Sequence, residues 1–211
     1  MFITFEGIDA SGKSTQVKLL ENYLRSKNEK VIVVREPGGT KLSEEIREIL
    51  LSKENFRMVK ECEIFLFSAS RAQLVREVIL PKLKEGYIVI SDRFHDSTTA
   101  YQGLGRDIPM EIVQVIHSLA IDKCIPDLTF FIDISYEESI RRKQMNNLFR
   151  DRIELMGKEF FDKVREGYLK IHELEPERFL IIDGNNSIEI IHKKILELFL
   201  KKFNEIGRRK C

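Results

Sequence analysis

The sequence predicts an α/β domain in which about five parallel strands are flanked by helices. Short runs of apolar and β-branched residues alternate along the 211 residues with longer segments whose apolar side chains recur at helical spacing. That alternation is typical of parallel strands joined by right-handed helical crossovers. The first run, residues 2–5, leads into a glycine-rich segment, 7–14, and then into a helical pattern. A strand, a glycine-rich turn and a helix in this order favour a P-loop NTPase-type parallel sheet.

Composition restricts the classes of protein and partner. Hydrophobic residues make up 43% of the chain and charged residues 33%, as in globular proteins, and the length fits one domain over residues 1–211. The formal net charge of +1 gives no reason to expect a nucleic-acid or membrane partner. No apolar run approaches the ~20 residues that cross a bilayer.

The cysteines and the first residues indicate the compartment. The three cysteines lie far apart and lack metal-ligand spacing, which is typical of a reducing environment. Met1 leads straight into the first predicted strand, so we expect no signal peptide. We therefore expect a cytoplasmic protein.

Residues 7–14 fit G-x-x-x-x-G-K-[ST], the pattern of a loop that holds phosphate groups. Its two glycines permit backbone conformations closed to other residues, so that loop N–H groups converge on an anion beside a helix N-terminus. Lys13 adds a positive charge for the β- and γ-phosphates, and the Ser14 hydroxyl suits Mg²⁺. The sequence therefore predicts a site for ATP and Mg²⁺. Its predicted loop residues are Gly7, Ile8, Asp9, Ala10, Ser11, Gly12, Lys13, Ser14 and Thr15.

The second strand is predicted over residues 31–34, after a first helix over 13–27. Its successive β-branched residues are typical of a strand that is buried on both faces of a parallel sheet. The following segment, 35–40, contains a proline and two glycines and is therefore predicted to be a loop. Loops at the carboxyl ends of strands bind ligands in open α/β sheets, which makes Glu36 a candidate. The alternative is a solvated pair of Arg35 and Glu36.

Two helical patterns follow, a short one over residues 42–50 and a long one over 62–83. Within the long pattern Phe67 and Arg71 are four residues apart and share one face. A phenyl ring beside a guanidinium is suited to stack on and hydrogen-bond a flat heterocycle. The alternative is a core phenylalanine and an unrelated surface arginine.

The next strand, over residues 87–91, ends at Asp92 and Arg93. A carboxylate at this position is placed to orient the water of a Mg²⁺ ion. Arg93 is suited to grip a second phosphate through both arms of its guanidinium. The segment 94–103 carries hydroxyls, an amide and a ring but few apolar residues, so we predict a pocket wall rather than core. Its candidate residues are Ser97, Thr98, Tyr101 and Gln102.

The C-terminal half continues the alternation of helices and strands. The stretch 141–152 is the most cationic of the chain. A charge run is usually a solvated helix face, but phosphates need neutralising, so an arginine lid over residues 141–154 is the competing hypothesis. Its candidate arginines are Arg142, Arg150 and Arg152. The four histidines lack ligand spacing and are predicted to be structural or exposed. Helices are predicted over 109–121, 160–171 and 188–199, and strands over 128–133 and 179–182.

Six short motifs in order make the chain resemble the thymidylate kinases, and the resemblance covers nearly the whole chain. It implies an enzyme that transfers the γ-phosphoryl group of ATP to dTMP, giving dTDP for dTTP synthesis, with Mg²⁺. The motifs are Phe5-Glu6-Gly7-Ile8-Asp9, Arg35-Glu36-Pro37-Gly38-Gly39-Thr40, Leu66-Phe67-Ser68-Ala69-Ser70-Arg71, Asp92-Arg93, Ser97-Thr98-Thr99-Ala100-Tyr101-Gln102-Gly103 and Asp151-Arg152-Ile153-Glu154.

The resemblance also implies how the acceptor nucleotide is held. Phe67 would stack on thymine, and Arg71 would hydrogen-bond its O4 edge. Arg93 would hold the dTMP phosphate, and Asp9 would orient the acceptor near its sugar and phosphate. Tyr101 would pack under the sugar, where a 2′-hydroxyl would project.

Further implications concern the rest of the nucleotide site. Gln102 or Thr98 would face the base, and Asp183 with the arm near Arg142 would flank the adenine. Some members of the family carry an arginine at the position of Ala10, and without it the cation comes from the lid.

Members are usually homodimers, which pair through the helices around residues 61–83 and 109–121.

Three alternatives differ in class. The nearest is another phosphate-loop kinase that acts on a deoxynucleoside or a different monophosphate. A GTPase switch would carry an Asn-Lys-x-Asp motif and an Asp-x-x-Gly after the strand that ends at Asp92, and the sequence has neither. A regulatory ATP-binding module without turnover would not need the predicted acceptor pocket.

Overall fold

A single parallel sheet organises the computed structural model, which describes residues 1–145 and 151–209. The strand order is β2-β3-β1-β4-β5, and every neighbouring pair is parallel. The predicted α/β class with about five strands is therefore confirmed. The strands are β1 (Phe2–Glu6), β2 (Val31–Arg35), β3 (Ile88–Asp92), β4 (Leu128–Asp133) and β5 (Phe179–Asp183).

Helices cover both faces of the sheet. On one face the core joins Ile3 and Phe5 of β1 to side chains of the first and last helices. Phe2 points to the opposite face, because successive side chains of a strand alternate, and packs against the helices that precede and follow β3. The helices are α1 (Lys13–Ser26), α2 (Lys41–Leu51), α3 (Lys60–Leu74), α4 (Leu80–Lys84), α5 (His95–Thr98), α6 (Met110–Ile121), α7 (Tyr136–Met145), α8 (Lys158–Leu174) and α9 (Ile188–Arg209).

The long helical pattern over residues 62–83 is not one regular helix. The chain widens into a π-helical segment, Val75–Ile79, between α3 and α4. Pro81 lies in the first turn of α4. Proline lacks the N–H of a regular helical hydrogen bond, and its ring crowds the preceding turn. We attribute the widened turn to this proline.

The structure corrects the prediction that the segment 94–103 forms a pocket wall and does not contribute to the core. The segment forms α5 and a π-helical segment, Thr99–Gly105, and several of its side chains are buried. Phe94 and Ala100 are fully buried, and Asp96 is 2% exposed. The predicted residues Ser97, Thr98, Tyr101 and Gln102 recur at helical spacing and line a cavity of about 770 Å³. The segment therefore supplies both core and wall.

The carboxyl ends of the central strands meet at one edge of the sheet. Phe5 of β1 pairs with Asp92 of β3, and Asp92 pairs with Arg35 of β2. The loops that follow these three strands are consequently brought together at this edge. Ligands bind at this place in open α/β sheets.

Two features are absent from the described residues. No group of three or more His, Cys, Asp or Glu residues within them is arranged to hold a metal ion. Within the same residues no helix has both the length and the apolar composition needed to cross a membrane.

Candidate active site

A cavity of about 770 Å³ opens at the carboxyl edge of the sheet. It brings together residues from the glycine-rich loop, the segment after β2, α3, the end of β3, α5 and α7. A single cavity therefore joins the predicted phosphate loop to the predicted acceptor side. Of the residues predicted from the sequence, those that line it are Asp9, Ala10, Gly12, Lys13, Ser14, Thr15, Glu36, Phe67, Asp92, Arg93, Ser97, Thr98, Tyr101, Gln102 and Arg142.

The glycine-rich loop adopts the conformations for which glycine is needed. Gly7 has φ 137° and Gly12 has φ 105°, and a Cβ on Gly7 would lie 2.5 Å from the carbonyl oxygen of Ile132. Helix α1 begins at Lys13, so its free N–H groups face the cavity end of the loop. The Lys13 ammonium donates to the Ile8 carbonyl at 3.0 Å. Burial lowers the pKa of Lys13 to about 8, and an anionic ligand would favour its charged form.

Two oxygen ligands lie where a magnesium ion is predicted. Ser14 Oγ donates to Asp92 Oδ2 at 2.7 Å, although the residues are 78 positions apart in sequence. Mg²⁺ prefers oxygen ligands and usually keeps several waters while it binds one or two protein groups and substrate phosphates. This donor set fits such an ion, and a larger carboxylate cluster is not required.

Arg93 is held rigidly beside the loop. Its Nη2 donates to Asp9 Oδ1 at 2.8 Å, and its Nη1 donates to the Gly7 carbonyl at 2.7 Å. The guanidinium carbon lies 5.3 Å from the centre of the Tyr101 ring. Burial alone would raise the pKa of Asp9, but Arg93 and Lys13 outweigh it and hold that pKa well below its usual value. Asp9 therefore remains a carboxylate that orients Arg93.

Arg71 is a buried arginine whose side-chain partners line the cavity. Arg71 is 1% exposed and is not among the lining residues, so it is neither a surface arginine nor open to the cavity. Its guanidinium donates to Glu36 at 2.7 Å and to Thr98 Oγ1 at 3.0 Å. Burial raises the pKa of Glu36 despite its pairing with Arg71. The polar groups that Arg71 orients, Glu36 and Thr98, line the cavity with Phe67.

Arg142 of α7 contacts the glycine-rich loop. It donates to the Ser11 carbonyl at 3.2 Å and to the Gly184 carbonyl at 2.7 Å. Asp183 is adjacent, but its carboxylate binds Asn185 and Asn186 instead of lining the cavity. Arg150, another predicted lid arginine, lies outside the described residues. The predicted loop residues Gly7, Ile8 and Ser11 are not among the residues that line the cavity.

Arg152, also a candidate lid arginine, is paired with a buried carboxylate. It lies 2.7 Å from Glu63, a carboxylate that is 1% exposed, and donates to the Leu50 carbonyl at 2.9 Å. Glu63 also accepts from Gln102 and Arg106. Arg152 therefore anchors the segment after residue 150 onto α2 and α3.

Two polar groups at the site were not singled out by sequence. Glu6 lies at the end of β1 and is fully buried, and Tyr168 of α8 is also fully buried. A charged residue at the end of an otherwise apolar strand was the available signal for Glu6. Tyr168 fits the apolar face of a helix and gives no such signal.

Comparison with known proteins identifies a consistent set of relatives. The family model described as Thymidylate kinase matches residues 5–195. The thymidylate kinase of Fervidobacterium nodosum is 51% identical over 94% of this chain and 98% of its own. That of Kosmotoga olearia is 44% identical over 98% of this chain and 99% of its own. A crystal structure of thymidylate kinase from Ehrlichia chaffeensis matches with a TM-score of 0.77 and 35% identity, over 95% of this chain and 98% of that one.

Proposed function

The chain belongs to the thymidylate kinase family, and from this premise we propose how its own residues divide the work of a dTMP kinase. The enzyme transfers the γ-phosphoryl group of ATP to dTMP and yields dTDP, a step of nucleotide biosynthesis. One observation carries the residue assignment. A single cavity joins Lys13 and Ser14, at the phosphate loop, to Arg93 beside the loop and to Phe67 of α3.

The ATP phosphates bind to the loop from Gly7 to Thr15, and Lys13 neutralises the β- and γ-phosphates. Ser14 and Asp92 hold Mg²⁺, which supplies positive charge to the phosphate oxygens. The contact between their oxygens supports this pairing. Arg142 supplies a further cation from the lid side, supported by its contacts with the loop carbonyls.

The acceptor, dTMP, lies between Arg93, beside the loop, and Phe67 of α3. Arg93 holds its phosphate and Asp9 keeps Arg93 in place, supported by the 2.8 Å contact between them. Phe67 stacks on thymine, and the base edge meets polar groups of Glu36, Thr98 and Gln102 that Arg71 and Glu63 orient. The attacking oxygen belongs to an anionic phosphate, so the reaction needs charge neutralisation and alignment more than a general base.

One assay tests the function and its competitors. ADP formation from ATP is measured with each nucleoside monophosphate in turn, with Mg²⁺ and with an excess of chelator. We expect turnover with dTMP far above that with the other monophosphates, and none without Mg²⁺. A different preferred monophosphate would identify another kinase of this fold, and absence of turnover with every monophosphate would favour an ATP-binding module.

We expect Tyr101 to discriminate between deoxyribose and ribose in the acceptor nucleotide. The ring lies edge-on to Phe160 and Phe161. A ring under C2′ leaves no room for a hydroxyl, and a clash or a buried unpaired hydroxyl costs roughly 1–3 kcal/mol. We therefore expect dTMP to be preferred over its ribonucleotide by about tenfold to a few hundredfold.

The ratio of kcat/KM for the two nucleotides tests this assignment. Tyr101→Ala should lower kcat/KM for dTMP and narrow the ratio, whereas Tyr101→Phe, which keeps the ring, should preserve it. If both values fall together in Tyr101→Ala, the ring positions the substrate without discriminating its sugar.

We also propose a cytoplasmic homodimer formed through α3 and α6. These helices pack together and leave apolar side chains outside: Phe65 is 61% exposed, Val115 69% and Leu119 77%. A contiguous exposed apolar patch is typical of an interface between proteins. A charge in its centre should separate the subunits.

Light scattering after size-exclusion chromatography measures this assembly. Leu119→Glu should yield monomers at concentrations at which the wild type is a dimer. Leu174→Glu is the matched control, because Leu174 is 83% exposed on α8, away from this patch. A dimer that survives in Leu119→Glu would exclude this face.

A further inference from the structure

A buried carboxylate lies directly behind the acceptor-phosphate arginine. Glu6 is fully buried at the end of β1. Its Oε1 accepts from the Phe94 N–H at 2.8 Å. Its Oε2 accepts from Ser97 Oγ at 2.5 Å and from Tyr168 OH at 2.9 Å. Glu6 thus ties the central strand to α5 and α8.

The two hydroxyls that Glu6 binds also face Arg93. Ser97 Oγ and Tyr168 OH lie 3.0 Å apart, and each is 3.4 Å from Arg93 Nη1. A hydroxyl has one proton to donate and lone pairs to accept with. When both protons point to the Glu6 carboxylate, the lone pairs are left for the guanidinium N–H. The carboxylate therefore determines the direction of the hydrogen bonds that the two hydroxyls make.

We propose that Glu6 is a positioning residue that fixes Arg93 for the acceptor phosphate through the hydroxyls of Ser97 and Tyr168. This inference rests on the proposed role of Arg93. Asp9 and the Gly7 carbonyl hold Arg93 from the loop side, and the hydroxyl pair holds it from the α8 side. The Arg93 guanidinium is thereby held in position before the nucleotide binds, which reduces the conformational entropy lost on binding.

The charges around Glu6 define the conditions of the test. Burial and the neighbouring Asp96 raise the pKa of Glu6 to about 7, whereas Arg93 and the hydrogen bonds from Ser97 and Phe94 lower it. Measurements at about pH 8 therefore keep Glu6 mainly as the carboxylate.

Glu6→Gln tests the inference with almost no change of shape. A glutamine that still accepts from the Phe94 N–H turns its NH₂ toward Ser97 and Tyr168. The hydroxyls must then accept, and their protons turn toward Arg93. Calorimetry measures the affinity for dTMP and, by displacement, for thymidine, which has the same base and sugar but no phosphate. We expect dTMP affinity to fall about tenfold or more, the effect of one hydrogen bond to a charged group, while thymidine affinity stays within about twofold.

Two further variants provide a second test of the inference and a control for it. Tyr168→Phe removes one of the two hydroxyls and should give a smaller loss that is also selective for dTMP; it carries the test if Glu6→Gln fails to fold. Tyr136→Phe is the matched control, because Tyr136 stacks on Phe161 outside this network, and it should change neither affinity. Equal losses for dTMP and thymidine, or no loss for either, would overturn the inference.

Arg93→Ala separates this inference from the proposed function. If Arg93→Ala shows no loss selective for dTMP, the assignment of Arg93 itself is wrong. If Arg93→Ala shows that loss and Glu6→Gln does not, only the role of Glu6 is wrong.

Discussion

Lys13→Ala is expected to lower kcat by about 10²–10³-fold or more while the fold is retained. The loss follows from the removal of one preorganised positive charge at developing negative charge, which is worth about 3 kcal/mol or more in such sites. The fold should survive because the ammonium contacts only the Ile8 carbonyl among the hydrogen bonds of the described residues. Alanine also has a high helix propensity, so it is compatible with the first turn of α1.

The measurement combines turnover at saturating ATP and dTMP with circular dichroism and thermal unfolding. Lys18→Ala is the matched control, since Lys18 is an exposed lysine of the same helix. It should retain wild-type turnover. Native-like spectra with nearly normal turnover in Lys13→Ala would contradict the assignment of Lys13 to the ATP phosphates.

The elements that the sequence predicted well depend on local signals. The strands are continuous apolar runs, and the phosphate loop is a contiguous pattern, so both can be recognised without knowledge of the rest of the chain. Helix α1 was predicted over 13–27 and observed at Lys13–Ser26 for the same reason. Asp92 could be placed beside the loop because parallel strands bring their carboxyl ends to one edge.

The features that the sequence did not predict depend on distant partners. Tyr168 meets Glu6 across 162 positions, and no local pattern links them. Arg71 of α3 can be buried because Glu36, in the loop after β2, pairs with its charge. An isolated arginine on a helix usually indicates an exposed side chain, since burial of a charge is costly unless it is paired. Such residues can be placed only when the fold reveals the partner.

Arg93→Ala is expected to give the second large effect, a fall of about 10²–10³-fold in kcat/KM for dTMP with little change in ATP affinity. Loss of a charged donor at a phosphate removes both binding and alignment of the acceptor. Removal of the guanidinium also leaves Asp9 without its partner at 2.8 Å, and an unpaired, partly buried carboxylate repels the incoming phosphate. The first consequence acts on the acceptor alone, which is why we expect the larger effect on dTMP.

Steady-state kinetics with each substrate varied separately measure the effect, and two further variants define its cause. Arg93→Lys should recover only part of the activity, because an ammonium keeps the charge but not the planar fork that contacts Asp9 and the Gly7 carbonyl together. Arg165→Ala is the matched control, since Arg165 makes a bidentate pair with Asp133 outside the cavity; it should leave both KM values unchanged. A variant at position 93 that loses ATP affinity while its dTMP affinity survives would assign Arg93 to the other substrate. Full recovery in Arg93→Lys would instead show that charge alone, without the geometry that Asp9 and Gly7 impose, aligns the acceptor phosphate.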